Sequence, residues 1–74
     1  VSAHERLKWL ARFKAGPDRV RIHAGGRVVM MWFEGHMVSY DRQTMKLAAG
    51  WVWVEELARA AGVQAVAVAA LNSS

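Results

Sequence analysis

The chain contains no cysteine, so neither a disulfide nor a thiolate metal site can staple it. It has a single proline and no apolar run near the roughly 18–20 residues that span a bilayer. Nothing ahead of the first helix reads as a signal peptide. A soluble protein of a reducing compartment, most simply the cytoplasm, is therefore expected. Its 74 residues allow one domain, and a chain of that size buries only about 60–65% of its unfolded surface. What the chain does have is apolar mass: 54% of it is hydrophobic, with four Trp and four Met. Such a composition argues against long disordered tails. Stability must come from dense packing or self-association, and a homodimer is the expected assembly.

Charge is unevenly spread. Ten Lys and Arg face six Asp and Glu, for a net charge of +4. Nine of the ten bases lie in residues 1–46, while residues 47–74 hold only Arg59 against Glu55 and Glu56. Arginine predominates, and its planar fork suits phosphate and stacks on aromatic rings. A basic half of this kind fits nucleic acid, an anionic membrane surface or an acidic protein partner.

Ser2-Ala3-His4-Glu5 has the spacing of a capping box, in which the serine hydroxyl accepts from the amide three residues on. Helical spacing continues to Ala15, and Gly16-Pro17 supplies a cap and a stop. At about 100° per residue, Ala3, Leu7, Trp9, Leu10, Ala11 and Phe13 share one arc, with Lys8 and Arg12 facing away. Arg19 to Ala24 alternates strictly and reads as a strand. Gly25-Gly26 reads as a two-residue hairpin, followed by a nearly all-apolar strand from Arg27 to Phe33. Glu34-Gly35 is a second tight turn, and His36 to Asp41 a third strand.

These loop lengths set a register. Ile22, Val29 and Tyr40 fall in one row, and Val20, Met31 and Val38 in the next, forming a face that receives the helix. The opposite face carries Arg19–Trp32–Met37, Arg21–Met30–Ser39 and His23–Val28–Asp41. Its centre is too apolar to stand fully exposed. The rest of the chain, a second subunit or a ligand must cover it.

Asp41 to Thr44 reads as a turn, and Met45 to Gly50 fits a short helix or a strand. Trp51-Val52-Trp53-Val54 is strand-like by composition. Val54, Leu57, Ala58 and Ala61 follow a helical period ending at Gly62. Glu56 to Val63 resembles the first helix and turn of a LacI-type helix-turn-helix, which implies a recognition helix after Val63. Beyond Gln64, however, Ala65 to Leu71 offers no side chain that hydrogen-bonds a base. The residues themselves favour a buried strand over Gln64–Ala70, with residues 72–74 as a frayed end. The expected architecture is α+β: a three-stranded antiparallel meander packed by an N-terminal helix, then a second helix and a C-terminal strand.

Chemistry-bearing motifs are few. Gly25-Gly26 is followed by no phosphate-loop lysine. His4, His23 and His36 fall on separate faces, so neither a metal site nor any other cofactor is expected. Ser39 and His23 share a sheet face but form no nucleophile–base–orienter set, and the protein is read as a non-enzyme. The leading expectation is a small basic accessory or regulatory protein that binds DNA or RNA, mainly through phosphate. Lys8, Arg12, Arg19, Arg21 and Arg27 are the candidate phosphate contacts, with Trp32 at the centre. The alternative is a protein-interaction module or small inhibitor docking through Met30, Trp32 and Met37.

Overall fold

A computed structural model describes residues 1–73. It is α+β, with a four-stranded antiparallel sheet in the order β1-β2-β3-β4 and three helices on one of its faces. Helix α1 spans Ala3–Ala15, β1 Arg19–His23, β2 Val28–Phe33, β3 His36–Asp41 and β4 Lys46–Ala48. Helices α2 (Val52–Ala60) and α3 (Val63–Ser73) complete the chain.

The capping serine acts as its spacing implies: the Glu5 amide donates to Ser2 Oγ at 3.1 Å. Gly16, at φ 88°, closes α1. The buried stripe of α1 is narrower than the expected arc. Trp9 and Phe13 are buried and Leu10 packs beside them, while Leu7 is 66% exposed and Ala3 and Ala11 face solvent. The cause is placement. α1 packs at the β2–β3 turn end of the helical face, where Phe13 meets Phe33 edge-on at 5.0 Å and Trp9 meets His36 at 4.7 Å. Trp9 also meets Trp53 of α2, at 6.3 Å.

Every expected register row of the meander is present, from Arg19↔Trp32↔Met37 to His23↔Val28↔Asp41. Glu34 (φ 50°) and Gly35 (φ 83°) form the expected two-residue turn. The first hairpin differs. Its loop is four residues, Ala24–Arg27, with a single 3-10 turn and positive φ at Ala24, Gly25 and Gly26. The Arg27 amide donates to His23 at 3.2 Å, so the longer loop preserves the same register.

Of the two alternatives for residues 45–50 the strand is the one present, which makes the sheet four-stranded where three strands were expected, and two further expectations are corrected. Residues 46–48 form a fourth strand, with Tyr40 opposite Leu47 and Asp41 opposite Lys46. Residues 51–54 are a helix start: Trp51 is the N-cap of α2, and Val54 is buried while Val52 is 71% exposed. A strand would point those two valines to one side, whereas helical geometry turns them about 200° apart. Residues 64–70 are helical too. Val63, Val66, Ala67, Ala70 and Leu71, at i, i+3, i+4, i+7 and i+8, are the α3 side chains that pack on the core. Alanine's helix propensity favours that outcome over a strand. The helix runs through positions 72 and 73, where the Ser73 hydroxyl donates to the Ala69 carbonyl at 2.9 Å. Residue 74 lies outside the described residues.

The core sits between the sheet and the helices. Val29, Met31, Phe33, Val38, Tyr40 and Leu47 meet Trp9, Phe13, Val54, Leu57, Ala58, Val63 and Ala67. The C-terminal helices therefore cover the face already assigned to α1. Among the described residues no helix lies on the other face.

Candidate nucleic-acid interface

The open face is built by strand alternation. Arg19, Arg21 and His23 project from β1, Val28, Met30 and Trp32 from β2, Met37, Ser39 and Asp41 from β3, and Lys46 and Ala48 from β4. Val28, Met30 and Trp32 are half-buried by their neighbours, and Met37 is 42% exposed. The Arg19 guanidinium lies over the Trp32 indole, its Cζ 4.9 Å from the ring centroid. One face of Trp32 is thereby occupied by the arginine. Asp18, just ahead of β1, accepts from the Glu34 amide at 2.7 Å and anchors the strand that carries Arg19.

The acid on this face is Asp41, and it is engaged. Its carboxylate accepts from Arg27 Nε and a terminal guanidinium nitrogen at 3.4 and 3.3 Å, and from the Gln43 amide at 2.8 Å. The Arg27 hydrogen bond, with those from the Gln43 and Thr44 amides and the arginine's charge, lowers the Asp41 pKa below its ordinary value, against a smaller opposing effect of desolvation. Neither ion pair among the described residues involves Arg19, Arg21 or Lys46. Beyond the Asp41 end, Gly25, Gly26, Arg27, Arg42 and Gln43 line a shallow hollow of about 430 Å³. A basic track therefore runs along β1 and around the first hairpin.

The expected phosphate-contact residues do not form one surface. Arg19 and Arg21 lie on the open face with Met30, Trp32 and Met37, and Arg27 stands at its end, paired with Asp41. Lys8 and Arg12 are on α1, in the other layer. Arg12 does not face away from the packed side as expected: its Nε is 2.6 Å from Glu34 and its guanidinium lies 4.7 Å from the Trp9 ring centre. Lys8 borders a separate cleft of about 440 Å³ with Glu5, Trp9, His36, Trp51 and Trp53. His23 and Lys46 belong to the open face and were not among the candidates. The register already placed His23 there, but Lys46 needed the fourth strand.

The resemblance to a helix-turn-helix extends to its outline, since α2, Gly62 (φ 81°) and α3 follow one another as it implies. The outer side of α3 nonetheless presents Ala65, Val68 and Ala69 between Gln64 and Asn72. Among the described residues no group of three His, Asp or Glu could hold a metal ion, and no buried side-chain polar atom is left without a partner. No described helix is long and apolar enough to cross a membrane. No family model matches the chain, and neither a curated protein nor a solved structure is significantly similar to it.

Proposed function

We propose that the open sheet face and its β1 margin bind nucleic acid, chiefly by its phosphate backbone, and that the protein acts as a small accessory or regulatory factor. The observation that carries this reading is the charge layout around Arg19 and Trp32. Arg19, Arg21 and Lys46 stand on an uncovered face whose one acid, Asp41, is held by Arg27. Glu34 by contrast is tied to Arg12 of α1, and Glu55 accepts from the Ala49 amide within the helical layer. The acid of the open face is thus held by its own arginine, which leaves Arg19, Arg21 and Lys46 outside any ion pair among the described residues, whereas the helical layer mixes Lys8 and Arg12 with Glu5, and Arg59 with Glu55 and Glu56. Stacking on Trp32 pre-positions Arg19 for a phosphate and lowers the ordering cost of binding. Contacts of this type position a strand or duplex without reading its sequence.

The test is a gel-shift titration of the protein against mixed-sequence DNA and RNA at two salt concentrations. Retardation that weakens steeply with salt supports the reading. Failure to retard any nucleic acid at low salt removes it.

One observation favours a second reading. Met37, 42% exposed, adjoins Trp32 in the same row, with Met30 beside them. An acidic protein, or a second copy of the chain, would find there the aromatic and sulfur-bearing surface common at interfaces. A partner that binds equally well at high salt would support docking over phosphate contact.

A further inference from the structure

Strand β1 is an edge of the sheet, paired with β2 on one side and, among the described residues, with no strand on the other. Its two faces differ. Arg19, Arg21 and His23 point to the open face, and Val20 and Ile22 to the helical side. On that helical side the cover stops short. Val20 is 38% exposed, although Met31 and Val38 in its own row are fully buried. Ile22 is half-buried beside fully buried Val29. The edge therefore offers unpaired backbone, an apolar shelf beneath it and a basic row above it.

A second copy does not suit this edge. Antiparallel pairing of β1 with itself about Arg21 sets Arg21 against Arg21, and pairing about Val20 sets Arg19 against Arg21. Like charges directly opposite are destabilising, and basic residues on edge strands are a known guard against self-pairing. The complement is an extended segment with acids where β1 has arginines and apolar residues where it has valine and isoleucine.

We propose that the free edge of β1 is a strand-addition site for an extended peptide in which carboxylate and apolar side chains alternate. Backbone hydrogen bonds join the peptide as a fifth strand, as in other cases of strand addition to an exposed edge. Its apolar side chains rest on Val20 and Ile22, and its acids meet Arg19 and Arg21. The pairing is specific in parity, because a slip of one residue places acids on the apolar shelf. Such a partner occupies the same two arginines as a polyanion, so the two ligands exclude one another. The proposal stands apart from the nucleic-acid reading, since β1 remains an edge whether or not phosphate binds its arginines.

The test uses the full chain and two synthetic peptides the length of β1, with nucleic acid absent. One alternates glutamate and valine; the other has the same composition in two blocks. Amide hydrogen exchange followed by NMR is expected to slow at least about tenfold across Arg19–His23 with the alternating peptide and to stay unchanged with the block peptide. Equal effects of the two peptides, or no protection of β1 by either, would overturn the proposal. Two variants separate the faces. Val20→Lys is expected to weaken the alternating peptide about tenfold, and Arg21→Glu to shift preference to a peptide alternating lysine and valine. If Arg21→Glu keeps the acidic preference, the proposal fails. It also fails if a single-stranded oligonucleotide protects the β1 amides and the alternating peptide does not.

Discussion

The guanidinium of Arg19 lies over the indole of Trp32, across the pairing of β1 with β2, with 4.9 Å from Cζ to the ring centroid. At a half-exposed position such a contact contributes about 0.5–1 kcal/mol. A double-mutant cycle with Arg19→Ala and Trp32→Ala is expected to return a coupling of about that size in urea unfolding. Strict additivity would mean that the tryptophan does not hold the arginine.

Phosphate contact has a kinetic-free signature. Arg19→Ala and Arg21→Ala are each expected to weaken binding similarly for unrelated sequences and to reduce the salt slope by about one unit. Lys8→Ala, on the other layer, is expected to change neither. Equal losses from Lys8→Ala and Arg21→Ala in the same titration would place the polyanion elsewhere.

Asp41 links the face to pH. Its pKa is lowered in the folded state, chiefly by the Arg27 hydrogen bond, so its contribution to stability is present above the ordinary 3.8 and is lost as pH falls through the lower folded value. Asp41→Asn is expected to flatten the acid limb of the stability–pH curve. It also frees Arg27 and removes the acid of the face, so nucleic-acid affinity should rise. Parallel acid limbs for the two proteins would contradict the linkage.

Core positions on α1 should differ sharply. Phe13 is buried against Phe33, and Phe13→Ala is expected to cost about 3–5 kcal/mol. Leu10 is only half-buried, so Leu10→Ala should cost less than about 2 kcal/mol. The denaturant midpoints of the two variants check the order.

The contrast between those residues shows what was legible in the sequence. The alternation of Arg19–Ala24 and the short loops on either side of β2 define both hairpins, so the rows that carry Arg19, Trp32 and Met37 could be written down before the fold was known. Parity survives a change in loop conformation, as the four-residue turn at Ala24–Arg27 shows. The C-terminal third was less legible. Trp51 to Val54 and Gln64 to Ala70 alternate large and small residues in a way that suits a strand, while the longer period through Val54, Leu57 and Ala58, and through Val63, Val66 and Ala67, belongs to helices packed on the sheet. Misplacing those helices also hid which face stays open. Likewise Arg12 looks solvent-facing on a helical wheel, and only the approach of the β2–β3 turn brings Glu34 to it.

Self-association is set by the same face. Two copies meeting through Trp32 and Met37 bring arginines together, a repulsion that salt screens. Sedimentation is expected to show more dimer at high salt than at low salt. A dimer indifferent to salt would use another surface.

The central claim is that nucleic acid binds the open sheet face, and an NMR titration of the labelled protein with a short oligonucleotide tests it most directly. The account expects shifts concentrated at Arg19–His23, the Trp32 indole and Lys46, with the Trp51 and Trp53 indoles unmoved. Shifts confined to the Trp51–Trp53 cleft or to the exposed side of α3, with Arg19 and Trp32 unchanged, would contradict it.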